Sequence, residues 1–462
     1  MKNYSGKKIV IIGVARQGQA LARFFTKRGA QVVLTDTREK EQLESELANL
    51  VSLPVTLDLG GHHPEVLERA DLVCVSGGVP LTIPFIQEAY IRKIPLTNDS
   101  QIFLEECPCT VVGITGSAGK STTTALVGLM AKTTFEMKSN QQTAWVGGNI
   151  GNPLIDYLDD IQEDDLAVME LSSFQLELMK NSPQVAAVLN ITPNHLDRHG
   201  SMDAYIDAKS HILWYQHADD IAVLNRDDKV SWDLQSEIKG DLISFGLNRP
   251  GGRFNGTFVD QDSVWLQIGN EKIKMFPTEW IQLRGRHNLY NVLAASAIAA
   301  ATTLALPAIQ SSIEEFAGIP HRLETVREVN GVTWINDSIA TAPERTIAAL
   351  ESISEPIVLL LGGRDKDLPW DKLAEIVRNK VERVIIFGES APLINEAIGP
   401  RKPGQHLKSV VTAKNLEEAL KTAQIQAQAG EVVLLSPGGT SYDAFKDFEE
   451  RGQFFRDWVN EL

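Results

Sequence analysis

The chain has 462 residues, 43% hydrophobic and 23% charged, with glycine and proline dispersed along it, a composition of ordinary globular protein in about three domains. Its net charge of -16 and pI near 5.1 argue against a nucleic-acid surface, which needs basic patches to displace phosphate counterions. Cys74, Cys107 and Cys109 are too few and too poorly spaced for a disulfide framework or a four-ligand zinc site, so they are expected to be reduced and mostly buried. No run approaches the roughly 18 apolar residues of a membrane span, and MKNYSGKKIVIIGV lacks a cleavage site; a cytoplasmic protein is expected.

In chain order, KIVIIGV, ARQGQALARFFTKRG, QVVLTD and DLVCVSG, the last followed by IPFIQEAYIRK, alternate strand and helix patterns. This predicts a parallel sheet with crossover helices over 1–99. A second unit, 100–318, opens on VVGITG and continues through LAVMELSS and VAAVLNIT, short apolar runs closed by polar turns, as buried parallel strands read. Residues 251–284 alternate apolar with polar side chains and predict antiparallel strands at its edge. GRHNLYNVLAASAIAAATTLALP reads as a buried Ala-rich helix stopped by Pro307. From 319 to 462 a third α/β unit follows with TWIND, PIVLLLGG, RVIIFGE and EVVLLSP. No long linker, short-period repeat or low-complexity tract interrupts the chain.

GVARQG, residues 13–18, follows the first strand, and Asp36 ends the second. That spacing suits a turn that brings a phosphate to a helix N-terminus while an acid takes ribose hydroxyls. Ala15 replaces the middle glycine of the dinucleotide fingerprint. The stretch therefore reads as a structural turn, an NAD(P) site, or a site for another phosphate-bearing ligand. Asp36, Thr37 and Arg38 offer groups able to bind a nucleotide base and phosphate.

GITGSAGKSTT carries a far more specific signal. Counted from Gly116, the loop is two residues shorter than the usual P-loop. The N–H groups of Gly116, Ser117, Ala118 and Gly119 would face ATP phosphates, Lys120 would reach the β and γ phosphates, and the Ser121 or Thr122 hydroxyl would bind magnesium. Such an ion needs carboxylate support, and Glu170 ends the strand LAVME on the edge where α/β sheets bind ligands. His195 follows another strand, and Lys209 lies on the next helix. Each alone reads as a structural residue; together with Glu170 they suggest a second cation site. A lysine repels a cation, so the pair makes chemical sense only if Lys209 is converted to an anion.

On these residues the chain resembles the Mur ligases, to which folylpolyglutamate synthetases are related; their TG-x-x-GK-[ST] loop is what 115–121 spell. The likeness covers essentially the whole chain and implies Rossmann-like first and third domains around a P-loop ATPase-like middle domain. It implies that Ser121 and Glu170 bind a magnesium bridging the ATP phosphates, that His195 and a carbamylated Lys209 hold a second, and that Lys120, Glu170, His195 and Lys209 carry catalysis. It also implies ATP contacts for Asn288 and Asn291 in GRHNLYN, Arg322 in GIPHRLE and Asp337 in INDS, with Asn149 of VGGNIGNP and His195 at the substrate.

Within the family, GVARQG, DTRE, MELSSFQLE, NITPNHLDRHG and SPGGTSYDAFKDFEERGQFF look like the glutamate-adding branch. That implies UDP-N-acetylmuramoyl-L-alanine as substrate, its uridine end at Asp36, Thr37 and Arg38, and a glutamate site at Thr341, Lys366, Ser441 and Phe448. Most members read NDSKATNP; this chain reads NDSIATAP, with Ile339 and Ala342 in place of a lysine and an asparagine. The change leaves D-glutamate, L-glutamate or another amino acid open, with Arg345 or Arg364 as replacements for the missing charge. The implied enzyme is a cytoplasmic monomer of peptidoglycan precursor synthesis that makes an acyl phosphate from ATP and the alanyl carboxylate, then an amide. A nicotinamide-linked oxidoreductase would leave GSAGKST unexplained, and a nucleotide switch would leave Glu170, His195 and Lys209 together unexplained.

Overall fold

A computed structural model of the chain describes residues 2–139, 141–252, 254–283, 285–366, 368–400 and 404–462. Three sheets follow one another along the sequence. In the first, β1 (Lys8–Ile12), β2 (Gln31–Asp36), β3 (Val55–Leu59), β4 (Leu72–Val75) and β5 (Leu96–Thr97) run parallel in the order β3-β2-β1-β4-β5. Residues 9–12 of β1 are wholly enclosed, which is why KIVII shows no polar alternation. The strand order reverses between β1 and β4, and ligands of such sheets bind at that point, beyond the carboxyl ends of the strands.

The second sheet holds β6 (Thr110–Thr115), β7 (Ala144–Gly148), β8 (Leu166–Glu170), β9 (Val185–Val188), β10 (Ile221–Asn225), β11 (Asp241–Phe245), β12 (Asn255–Asp260), β13 (Ser263–Ile268) and β14 (Glu271–Pro277). Its order is β14-β13-β12-β11-β10-β9-β6-β8-β7. The expected antiparallel edge is β12 to β14. β6, which feeds the GSAGKST turn, lies between β8 and β9, with Ile114 opposite Glu170 and Thr115 opposite Val188. In the third sheet, β15 (Glu324–Val329), β16 (Val332–Asn336), β17 (Ile357–Gly362), β18 (Arg383–Phe387), β19 (Ser409–Thr412) and β20 (Val432–Gly438) take the order β15-β16-β20-β17-β18-β19. β15 pairs antiparallel and the others parallel.

One expectation changes, at Pro307. By compactness the chain forms two units, Met1–Phe316 and Ala317–Leu462, so the first two sheets share one unit. Side chains link them. Arg23 holds Asp156 through two hydrogen bonds of 2.9 and 2.7 Å, Arg28 reaches Asp159 at 2.8 Å, and Asn98 donates to the Gln175 carbonyl at 2.7 Å. The Ala-rich helix spans Arg286–Ala301 and ends before Pro307, which instead opens the next helix, Leu306–Glu315. Proline suits a first helical turn because no intrahelical partner awaits its missing N–H. Among the described residues no helix is long and apolar enough to cross a membrane.

Candidate active site

The loop at 116–119 leads from β6 into the helix Lys120–Met137, with Gly119 as N-cap at φ 85°. A side chain there would be strained, and its Cβ would lie 2.1 Å from Asn291 Oδ1, so both conformation and packing require glycine. Asn291, on the helix Arg286–Ala301, donates to Asn288 Oδ1 at 2.9 Å, which sets both asparagines beside the loop. Lys120 folds back so that Nζ donates to the carbonyls of Gly116 (2.9 Å) and Ser117 (3.3 Å).

The expectation that all loop amides face phosphate needs correction at Ser117 and Ala118. The Ser117 N–H donates to Asn190 O at 2.8 Å and the Ala118 N–H to Asn190 Oδ1 at 2.9 Å, while Asn190 Nδ2 returns a bond to Ala118 O at 3.0 Å. These contacts fix the loop from the strand beside it. The positive end of the helix lies at Gly119, Lys120, Ser121 and Thr122. Asn190 went unnoticed in the sequence; its only signal was a polar residue directly after the apolar run VAAVL.

Glu170 ends β8 beside this loop and is 2% exposed. Asn149 Nδ2 donates to its Oε1 at 2.8 Å, and Asn149 N donates to its carbonyl at 2.9 Å. Glu170 Oε2 is buried and has no hydrogen-bond partner among the described residues. A buried carboxylate oxygen left this way costs stability unless a cation takes it, and buried Ser121 offers a hydroxyl in the adjoining first helical turn. The donor set fits a hard divalent cation such as magnesium.

Lys209 lies on the helix Met202–Trp214, 1% exposed, with Nζ donating to Gly116 O at 3.0 Å and Thr115 Oγ1 at 3.3 Å and resting 4.8 Å from the centre of the Tyr205 ring. Burial, and next the charge of Lys120, push its proton affinity well below that of an ordinary lysine, against the opposing pull of Glu170. Both effects favour the uncharged amine over the ammonium. His195 is exposed, in the left-handed region at φ 53°, its ring 5.3 Å from Phe174. Phe174 stacks on His199 at 5.1 Å. No three His, Cys, Asp or Glu side chains among the described residues group around a metal-sized site.

At the end of the first sheet, Gly18 follows from close approach: a Cβ there would lie 1.9 Å from Gly13 O. Asp36 accepts from Val14 N at 3.0 Å and from Arg38 Nε and Nη2 at 3.0 and 2.9 Å. Burial raises its carboxyl, but the bonds from Arg38 and Val14 outweigh this and hold it ionised below the usual range. Asp36 and Arg38 thus shape the strand end, and Thr37 faces a pocket of about 520 Å³.

The second unit contains the remaining expected residues. Both Asp337 oxygens are engaged: Oδ1 accepts from Leu323 N at 3.2 Å and Oδ2 from Ser436 Oγ at 2.8 Å. The Leu323 contact ties the segment after Arg322 to β16. Arg451, fully buried and unnoticed in the sequence, donates from Nε to Ser338 Oγ (3.0 Å), from Nη2 to Ser338 O (2.9 Å) and from Nη1 to Gly439 O (3.1 Å). It braces the segment bearing Ile339 and Thr341 and the loop leading to buried Ser441. The Phe448 carbonyl accepts from Ser338 Oγ at 2.8 Å. Arg364 pairs with Glu389 in a bidentate contact at 2.7 and 3.0 Å. Arg345 stays closer, its Nη1 donating to Ile339 O at 3.4 Å. Lys366 has a lowered proton affinity, from partial burial and then from Arg345 and Arg451.

Burial raises the Asp337 carboxyl to about 7. In the unfolded chain it ionises near 3.8, so between those values the folded state holds a proton that the unfolded state has lost. The second unit is therefore expected to lose stability as pH rises through that window, by on the order of 3 kcal/mol from this group. Asp337→Asn should flatten the slope, read as urea denaturation at about pH 4 and about pH 7; an unchanged slope would assign it elsewhere.

Residues 7–98 match the model of the Mur ligase MurD-like N-terminal domain, 114–299 the Mur ligase middle domain, and 321–439 the Mur ligase glutamate ligase domain. A UDP-N-acetylmuramoylalanine–D-glutamate ligase of Symbiobacterium thermophilum is 38% identical over 99% of this chain and 98% of its own. Another so named, from Pelotomaculum thermopropionicum, is 38% identical over 100% and 99%. Among solved structures, the UDP-N-acetylmuramate-alanine ligase MurC of Thermotoga maritima shares the fold at TM-score 0.54 and 20% identity over 98% of this chain and 99% of its own. A pseudomurein peptide ligase type C of Methanothermus fervidus does so at 0.52 and 20%, over 99% and 100%. This chain belongs to the Mur ligase family.

Proposed function

We propose that this chain joins D-glutamate to UDP-N-acetylmuramoyl-L-alanine with ATP, releasing ADP and phosphate, in the cytoplasm and as a monomer. Glu170 carries the reading: a buried carboxylate oxygen without a partner among the described residues, beside the shortened GSAGKST turn. The full-length relatives named as D-glutamate ligases support the substrates. The domains divide as 1–99 for the UDP substrate, 100–318 for ATP and 319–462 for the amino acid.

The alanyl carboxylate attacks the γ-phosphate of ATP, and the resulting acyl phosphate is attacked by the glutamate amine. Two anions must meet in the first step, so the chain supplies positive charge where they approach. Gly116, Gly119, Lys120, Ser121 and Thr122 hold the phosphates, while Ser117 and Ala118 keep the loop in shape through Asn190. Magnesium, when bound, would neutralise phosphate charge; Ser121 and Glu170 would hold one ion, and His195 with a carbamate on Lys209 would hold a second. Asn149 positions Glu170. As the free amine, which burial favours, Lys209 can add to carbon dioxide, forming an N–C bond and releasing a proton, which converts a cation repeller into an anion. Asn288, Asn291, Arg322 and Asp337 serve the nucleotide. Asp36, Thr37 and Arg38 shape the uridine end. Thr341, Lys366, Ser441 and Phe448 serve the glutamate, with Arg345 beside Ile339 replacing the absent lysine.

Phosphate release with ATP, magnesium and UDP-N-acetylmuramoyl-L-alanine tests this when D- and L-glutamate are supplied separately. Release with the D isomer alone is expected; release with L-glutamate instead would reassign the amino acid, and none with either would sink the reading.

A further inference from the structure

The pocket beyond the first sheet is walled by Val79, Pro80, Ile83, Pro84 and Phe85, with Thr37 and His62 as its polar side chains. No charged side chain lines it among the described residues. It therefore suits the uncharged, flat part of a charged ligand rather than its phosphates. The His62 ring lies 5.3 Å from that of Phe85.

Behind the pocket, hydrogen bonding fixes the histidine's tautomer. Thr35 Oγ1 is 2.7 Å from Asp58 Oδ2 and 2.8 Å from His62 Nδ1. Asp58 also takes His63 Nδ1 at 2.6 Å and His63 N at 3.3 Å. Burial raises the Asp58 carboxyl, but Thr35 and His63 outweigh this and keep it ionised. A carboxylate only accepts, so the single Thr35 hydroxyl proton goes to Asp58, and the hydroxyl can only accept from His62. Nδ1 then carries the proton and Nε2, on the far side of the ring, keeps a bare lone pair. Burial holds His62 neutral, outweighing Asp36 and Asp58, with His63 acting in the same direction as burial.

We propose that His62 is a specificity-determining residue for the nucleobase: its Nε2 accepts the N3–H of uracil. This rests on the UDP-linked substrate proposed above. Uracil has a donor at N3, whereas cytosine has an acceptor there and would set lone pair against lone pair. Thr35 and Asp58 are positioning residues that hold His62 in the accepting tautomer.

Equilibrium binding of UDP, CDP and 3-methyluridine diphosphate to the full chain tests the proposal. The unaltered protein should prefer UDP over each of the others by about tenfold, the value of one buried hydrogen bond. His62→Ala should lose that preference while ADP binding, a check on folding, is unchanged. Equal binding of UDP and 3-methyluridine diphosphate to the unaltered protein overturns the inference without any substitution, as does a UDP preference that survives His62→Ala. If the unaltered protein binds ADP but not UDP, the uridine substrate itself is wrong and the inference falls with it.

Discussion

Glu170→Gln is expected to lower the rate of ligation by about a thousandfold, the scale of removing one placed charge from a reacting phosphate. The substitution is nearly isosteric. Its amide can keep the 2.8 Å bond from Asn149 Nδ2 by presenting its oxygen there, so the strand end need not move. What disappears is the negative charge at the position of Oε2, the oxygen without a partner among the described residues. Because an uncompensated buried charge is removed, the variant should melt no lower than the parent in the absence of magnesium and nucleotide. Phosphate release and thermal denaturation, measured side by side, separate a loss of chemistry from a loss of fold. A variant within tenfold of the parent would remove Glu170 from the metal site.

Lys209→Ala should abolish measurable ligation, and formate or acetate should restore part of it. The reasoning starts from burial. A lysine 1% exposed, whose contacts are a carbonyl and a hydroxyl, has its proton affinity lowered by burial; an added carboxylate would bring negative charge to the site. Truncation to alanine takes away that carboxylate and leaves space behind Gly116 for a small one. Truncation also opens a cavity, costing about 2–5 kcal/mol as for other long buried side chains. Cavity loss alone would not respond to a carboxylate at unchanged ionic strength, whereas chloride at the same concentration should restore nothing. Full activity of Lys209→Ala, or equal rescue by chloride, would remove the carbamate.

The parts of this site that were legible in the sequence are those whose chemistry is local. GSAGKST is contiguous, and Glu170 closes an apolar strand at the edge where ligands bind, so strand periodicity and turn chemistry were enough to find them. The same holds for the strands: KIVII, LAVME and VVLLSPG are buried on both faces and read as unbroken apolar runs, while β5, with two residues, and the half-exposed β19 carry too little pattern. Residues that act across strands were not legible. Asn190 holds Ala118 from 72 positions away, Arg451 reaches Ser338 over 113, and Thr35 meets Asp58 and His62 over 23 and 27. Such pairings depend on sheet register, which no local pattern states. Asn149 shows the intermediate case: its block was recognised, but its partner, Glu170, became apparent only through the β7–β8 pairing that sets Gly148 opposite Glu170.

The most direct measurement is the fate of oxygen from the alanyl carboxylate. UDP-N-acetylmuramoyl-L-alanine labelled with heavy oxygen in that carboxylate is incubated with the enzyme, ATP, magnesium and D-glutamate, and the released phosphate is weighed by mass spectrometry. An acyl-phosphate ligase must move one labelled oxygen into each phosphate released as the amide forms. Phosphate free of label, or released at the same rate without the UDP-linked substrate, would mean that the GSAGKST loop passes the γ-phosphate to water and would contradict the account.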